Sequence, residues 1–97
     1  MTHLSYLPAA IADLKAITLY IAEDNPDRAL TFVDELRAKA QQALERPESF
    51  PARDDLSPGL RVARHGRYLL FFHQVADEIQ IVRVMHGARD FTQIFNA

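Results

Sequence analysis

The sequence predicts an α+β fold in which an N-terminal strand and a three-stranded antiparallel meander form one sheet, with a two-helix hairpin between them in the chain. Apolar residues recur every three or four positions between residues 8 and 44, which is the periodicity of helices. Three segments after residue 59 are rich in β-branched and aromatic residues and are separated by turn residues. Residues 2–7 alternate weakly between polar and apolar, as strands do. Because neither a repeat nor a linker divides the chain, we expect residues 1–97 to form a single domain.

The two predicted helices follow each other almost without a break. The first begins at Pro8, whose missing N–H is tolerated in a first turn, and runs to about Asp24. Asn25 can cap a second helix that has Pro26 in its first turn, and this helix ends before Pro47. The predicted buried stripes are Ile11, Leu14, Ile17 and Ile21 in the first helix, and Ala29, Phe32, Val33, Leu36, Ala40 and Leu44 in the second. Helices joined by so short a connection form an antiparallel hairpin.

A proline-rich loop is predicted next, over residues 47–58, and the remainder is sheet. The predicted strands are Leu60 to Arg64, Arg67 to Val75 and Ile79 to His86. Turns are expected at His65-Gly66 and Ala76-Asp77, at hairpin distance, and residues 90–96 are expected to add one turn of helix.

Two-residue turns would give this meander two apolar faces. One face would hold Leu60, Val62, Leu69, Phe71, Val82 and Val84, and the other Arg61, Ala63, Tyr68, Leu70, Phe72, Ile79, Ile81, Arg83 and Met85. We expect the helix hairpin on the first face. The second face is then too apolar to remain in water, so we expect another chain, or the N-terminal strand and the tail, to cover it. A strongly curved sheet that closes over its own core is the alternative.

Composition and charge narrow the functional classes. The chain is 48% hydrophobic and 25% charged, as ordinary globular proteins are, and has no cysteine for disulfides or thiolate chemistry. It lacks a secretion signal and an apolar stretch of about 18 residues, so we expect a cytoplasmic protein. The net charge of −2 argues against a protein that acts mainly by binding nucleic acid. Residues 1–58 sum to −4 (six basic, ten acidic) and residues 59–97 to +2 (five basic, three acidic), so only the C-terminal part could present a positive patch.

Two arginines stand out in the predicted sheet, because Arg61 and Arg83 would flank Leu70 from neighbouring strands. Like charges side by side destabilise a sheet unless an anion lies between them, so phosphate or the carboxylates of an acidic protein are candidate partners. Pairing with Asp54 or Asp55 of the loop is the alternative.

Cofactor and metal chemistry have no support in the sequence. The four histidines (3, 65, 73 and 86) lack metal-ligand spacing with each other or with acidic residues, and the chain has neither a glycine-rich phosphate loop nor a serine nucleophile motif. We therefore expect neither a cofactor nor a metal.

Several segments, in this order, resemble the ParE-type toxins of the RelE/ParE superfamily. They are Asp13-Leu14 with Tyr20-Ile21-Ala22; Asn25-Pro26 with Ala29 and Phe32; Leu56-Ser57-Pro58-Gly59-Leu60-Arg61; Arg67-Tyr68-Leu69-Leu70-Phe71-Phe72; and Ile81-Val82-Arg83-Val84-Met85-His86-Gly87-Ala88-Arg89-Asp90. The resemblance covers nearly the whole chain. It implies a RelE/ParE-like fold and the toxin of a type II toxin–antitoxin system. It also implies growth arrest and a complex with a cognate ParD-like antitoxin, through which the toxin contacts operator DNA only indirectly.

The superfamily has two activities, poisoning of DNA gyrase and cleavage of messenger RNA on the ribosome. RNA cleavage would need a base, an acid and cations around the phosphate, for which Arg61, Arg83 and His86 are the candidates. The tyrosine or lysine that RNA-cleaving relatives have near the C-terminus is absent, since Phe91 and Phe95 stand there and the last lysine is Lys39. The resemblance therefore favours a gyrase inhibitor that is not an enzyme; a ribonuclease, or a module with another target or none, remain alternatives.

Candidate binding residues follow from the predicted faces. Those expected to bind the antitoxin are Leu19, Tyr20, Leu70, Phe72, Ile79, Ile81 and Met85. The antitoxin segment could dock as an amphipathic helix or as an added strand. Candidates for binding the target are Arg61, Arg83 and Arg89.

Overall fold

The computed structural model describes residues 3–89 and 91–95 of the chain and has the expected α+β architecture, with a four-stranded sheet and a helical hairpin. In chain order the elements are β1 (His3–Tyr6), α1 (Pro8–Asp24), α2 (Pro26–Glu45), a 3-10 turn (Pro47–Ser49), β2 (Leu60–His65), β3 (Tyr68–Val75), β4 (Glu78–His86) and α3 (Phe91–Phe95). None of the helices in these residues is long and apolar enough to cross a membrane.

A single residue, Asn25, joins the two long helices. Its N–H donates to the carbonyl of Ile21 at the end of α1 (2.9 Å), and its side-chain oxygen accepts from the N–H of Arg28 in the first turn of α2 (3.1 Å). Asn25 therefore ends one helix and caps the next, as its position before Pro26 predicts. The direction of the chain reverses within this one residue, which holds the helices side by side.

The strands lie in the order β1-β4-β3-β2, with β1 parallel to β4 and the other pairs antiparallel. The first turn is one residue later than predicted, because β2 continues through His65 and pairs it with Tyr68. Gly66 starts this turn with φ of +59°, a conformation that glycine adopts without steric cost. The register of β2 on β3 moves by two positions, so the residues predicted to share a face still share it.

A bulge in β4 changes the predicted register of the last strand. Phe71 pairs with Arg83 but Phe72 pairs with Ile81, so Val82 is the extra residue. Beyond the bulge the faces are exchanged: Val84 opposes Leu70, and Met85 lies on the other side of the sheet. The prediction of uninterrupted pairing was wrong here, since a bulge leaves no clear mark in a run of apolar residues.

The helix hairpin packs on the face opposite to the predicted one. Its core combines Ala10, Ile17, Phe32, Leu36, Ala40 and Ala43 of the helices with Ala63, Leu70, Phe72, Ile79, Ile81 and Val84 of the sheet. The physical reason is β1, which lies beside β4 and adds Leu4 and Tyr6 to this face. An apolar surface spread over four strands offers more area to bury than the three-stranded face chosen from the meander alone.

The other face of the sheet is covered by the chain itself. Leu56 of the proline-rich loop and the residues Phe91, Ile94 and Phe95 of α3 pack over Leu60, Leu69, Phe71 and Met85. The rings of Phe91 and Phe95 each lie 5.0 Å from the ring of Phe71, in tilted edge-to-face contact. Each face of the sheet therefore has its own hydrophobic core. The tail, one of the coverings expected for the second face, packs instead on the face that was predicted to carry the hairpin.

Candidate functional site

An apolar groove of about 720 Å³ lies between α1 and α2, with Tyr6 at the end of β1 among its lining residues. It is lined by Tyr6, Ile11, Leu14, Lys15, Thr18, Leu19, Val33 and Arg37. Ile11 is 45% exposed and Leu19 is 69% exposed, although Ile11 was predicted to belong to the buried stripe of α1. Exposed apolar residues that line one concave surface indicate a protein-binding site rather than a protein core.

The groove exists because α1 has more apolar residues than one face of the helix can bury. Ile17 points into the core and is 7% exposed, whereas Ile11, Lys15 and Leu19 are spaced four apart along the groove side. On α2 the matching positions are Val33 and Arg37, and Leu30, one turn before Val33, is 68% exposed. In the sequence, Leu19 beside the main stripe of α1 was the signal that could have located this groove.

Most of the residues predicted to bind an antitoxin are buried in this structure. Leu70, Phe72, Ile79 and Ile81 are 0–1% exposed beneath the helices, and Met85 is 2% exposed beneath α3. Their assignment to an open face was wrong, because the helix hairpin covers the face of the first four and the bulge moves Met85 to the face beneath α3. Leu19 and Tyr20 remain accessible: Leu19 lines the groove, and Tyr20 is 70% exposed on the same helix.

Arg83 is held by Asp13 of α1 in a bidentate ion pair. Its Nε and Nη2 donate to the two carboxylate oxygens at 2.7 and 2.9 Å, and the backbone N–H of Val84 donates to Asp13 Oδ2 at 2.9 Å. Both side chains are largely shielded from solvent, and Asp13 raises the pKa of the Arg83 guanidinium. The bulge at Val82 places Arg83 beside this carboxylate, so its charge is already compensated within the protein.

Among the described residues, Arg61 forms a hydrogen bond with the backbone and not with a carboxylate. It donates to the carbonyl oxygen of Phe50 at 2.7 Å, and it opposes Phe72 across the sheet. The alternative of pairing with Asp54 or Asp55 was wrong. Asp54 accepts from the N–H of Gly59 (2.8 Å), while Asp55 forms an ion pair with Arg53 (2.9 Å). The expected pair of arginines around Leu70 is not formed, because the observed register pairs Leu70 with Ala63 and Val84 instead.

Three other arginines lie at the corner where β2 turns into β3 and β4 ends. Arg64, Arg67 and Arg89 are all exposed. The N–H of Gly87 donates to the carbonyl of Arg67 at 2.7 Å, and Nη2 of Arg64 lies 4.0 Å from where a Cβ on Gly87 would be. Within residues 3–89 and 91–95, none of the three has a carboxylate within 4.0 Å. We call these three residues the arginine corner. They lie in the C-terminal part, the only part in which the charge distribution allowed a positive patch, and Arg89 is the one that was a candidate for binding the target.

His86 lies next to this corner, in contact with Tyr68. The two rings are 5.4 Å apart and edge-to-face, and His86 Nδ1 accepts from the N–H of Ala88 at 3.1 Å. Neither Arg61 nor Arg83 shares a hydrogen bond with it. The three residues expected to act together in RNA cleavage are thus engaged in three separate interactions.

A second polar cluster ties α2 to the first turn of the meander. Glu35 accepts from both Arg28 and His65, the latter at 2.6 Å, and the Phe32 ring packs 5.3 Å from the His65 ring. The hydrogen bond from Arg28, followed by that from His65, lowers the pKa of Glu35 to about 2. This cluster fixes the end of the sheet to α2.

Comparison with known proteins points to one family. The chain matches the model of a family described as ParE toxin of type II toxin-antitoxin system, parDE, over residues 4–91. A solved structure described as the chromosomal ParDE TA system from P. aeruginosa is similar in fold, with a TM-score of 0.77 and 25% sequence identity. The match covers 89% of this chain and 96% of that chain. A search of curated protein sequences gives no match.

Proposed function

We propose that this chain, which belongs to the ParE toxin family of type II toxin–antitoxin systems, arrests growth by inhibiting DNA gyrase in the cytoplasm until a ParD-like antitoxin binds it. The match to the family over residues 4–91 is the observation that carries the proposal. The similarity to a chain of a ParDE system, over almost the full length of both chains, supports the antitoxin partner.

The groove between α1 and α2 is the proposed antitoxin site. Its exposed apolar residues Ile11 and Leu19 would be covered by an amphipathic helix laid along the groove, one of the two modes expected for an antitoxin segment. The remaining residues expected to bind the antitoxin, apart from Tyr20, lie in the two cores. This placement predicts that the antitoxin covers the helices rather than the sheet.

The arginine corner is the proposed contact with the target. Arg89 keeps the role expected of it, and Arg64 and Arg67 take the place of Arg61 and Arg83, whose guanidinium groups have partners within the protein. Because gyrase acts on DNA, this corner would face the phosphates or the acidic side chains of a gyrase–DNA complex.

The engagement of Arg61 and Arg83 favours gyrase inhibition over RNA cleavage. Cleavage by a ribose 2′-hydroxyl needs cations free to surround the developing phosphate charge. Here Arg83 is neutralised by Asp13, and Arg61 donates to the backbone carbonyl of Phe50. A cleavage site built on Arg61 and Arg83 would have to break both interactions first.

Induction of the chain alone in a bacterial host tests the proposal. We expect growth arrest with filamentation, an induced DNA-damage response and intact transcripts. An Arg64→Gln, Arg67→Gln, Arg89→Gln variant should arrest growth much less. A Lys39→Gln, Arg46→Gln variant, which loses positive charge near the end of α2 and not at the arginine corner, is the control. Arrest with cleaved transcripts and no damage response would contradict the proposal and favour a ribonuclease.

A further inference from the structure

The groove between α1 and α2 carries an uneven distribution of charge. The two helices contain seven acidic residues and four basic ones. Two of the basic residues, Lys15 and Arg37, line the groove, and none of the seven acidic residues does. The groove is thus a positive, apolar surface on a hairpin that is otherwise acidic.

Both cations are exposed and free to meet a partner. Lys15 and Arg37 have no carboxylate within 4.0 Å among the residues that the structure describes. The other two basic residues of the hairpin are engaged, since Arg28 pairs with Glu35 and Lys39 donates to Gln42. An apolar groove whose cations have no internal partners is complementary to an apolar surface flanked by carboxylates.

The two cations leave one end of the groove uncharged. The helices are antiparallel, so Arg37 lies beside the first turns of α1, where Tyr6 and Ile11 line the groove. Lys15 lies midway between Ile11 and Leu19. Leu19 and Val33 form the other end, which has no charged lining residue among those described. A bound helix would therefore meet positive charge from one end to the middle of the groove, and purely apolar surface at the other end.

We infer that Lys15 and Arg37 determine which antitoxin this toxin accepts, by pairing with carboxylates that flank one end of the apolar stripe of an amphipathic antitoxin helix. The inference rests on the proposed antitoxin complex and specifies which charges the antitoxin helix carries. Apolar contacts with Ile11, Leu14 and Leu19 would supply most of the affinity in any such complex. The two cations would reject helices that carry lysine or arginine at the same positions, since like charges brought together across an interface are costly.

Two helix-stapled synthetic peptides provide the test. Both have the same leucine stripe; one has glutamates flanking one end of it, and the other has lysines at those positions. Binding is measured by fluorescence anisotropy to the full chain made by cell-free synthesis. We expect the glutamate peptide to bind about tenfold more tightly, with a difference that shrinks as salt rises. A Lys15→Glu, Arg37→Glu variant should reverse the preference.

A matched control separates the groove from overall charge. The Lys39→Glu, Arg46→Glu variant has the same change in net charge outside the groove and should keep the preference of the unaltered chain. A preference lost equally in both variants would overturn the inference, because only net charge would then matter. Equal binding of both peptides to the unaltered chain would also overturn it, while leaving the groove as an apolar docking site.

Two further outcomes have distinct meanings. If neither peptide binds while a cognate ParD-like antitoxin does, and Leu19→Glu leaves that binding intact, both the inference and the proposed antitoxin site fail. If the chain alone sediments as a dimer that Leu19→Glu dissociates, the groove serves self-association and the inference is overturned.

Discussion

At the level of single residues, the ion pair between Asp13 and Arg83 has the largest effect on how the site is interpreted. It joins α1 to the bulge of β4 through three hydrogen bonds, and it changes a candidate catalytic cation into a structural one. Sequence spacing could not predict it, because the partners are 70 residues apart and meet only when a bulge reorients Arg83.

Asp13→Ala should lower the free energy of unfolding by about 2–4 kcal/mol, since it leaves a partly buried guanidinium and the N–H of Val84 without their acceptor. Urea denaturation followed by circular dichroism measures this. Asp34→Ala, at an exposed position of α2, is the matched control and should cost much less. Equal losses in the two variants would show that the ion pair does not stabilise the fold.

Glu35 should make the free energy of unfolding depend on pH. Its pKa is lowered from 4.5 to about 2 in the folded chain. Stabilisation from a lowered carboxylate pKa is present above the unfolded value and disappears as the pH falls through the folded value. The difference in urea midpoint between the unaltered chain and Glu35→Gln should therefore be constant above about pH 5 and decline towards pH 2. A difference that does not change over this range would contradict the assigned ion pairs.

At the scale of elements, the helices were predictable and the assembly of the sheet was only partly so. Pro8, Asn25 and Pro26 specify helix ends through local geometry, and the structure places those ends as expected. The face on which the hairpin packs depended on β1. This strand pairs with β4, which is distant in sequence, and its Leu4 and Tyr6 enlarge the apolar area of that face. The same long-range packing determines which residues are accessible for binding. Leu70 and Ile81 are buried in the core, whereas Ile11, which was expected in the core, lines the groove.

The short helix α3 should stabilise the fold without contributing to antitoxin binding. Phe91→Ala together with Phe95→Ala removes both rings that cover Phe71 and should cost about 2–4 kcal/mol, because these rings are only partly buried. Thermal unfolding measures the loss, and binding of the glutamate peptide below the melting temperature should not change. Weaker peptide binding in the folded variant would mean that α3 and the groove are coupled.

At the level of the whole molecule, antitoxin binding and target binding are proposed for two separate surfaces. The groove lies between α1 and α2, while the arginine corner lies where β2 turns into β3 and β4 ends. The overall charge of −2 conceals this separation, because the arginines of the C-terminal part meet only in the folded chain. Variants of the arginine corner should therefore lose toxicity yet still bind the antitoxin, and groove variants should remain toxic but escape neutralisation. Co-expression with the antitoxin while scoring colony formation distinguishes the two classes.

Inhibition of gyrase can be measured with purified DNA gyrase, supercoiled plasmid, ATP and the chain made by cell-free synthesis. We expect loss of supercoiling and accumulation of cleaved plasmid. Antitoxin should reverse both effects, and the Arg64→Gln, Arg67→Gln, Arg89→Gln variant should show them more weakly. Undisturbed gyrase in the presence of a chain that still arrests growth in cells would show that the chain acts on another target.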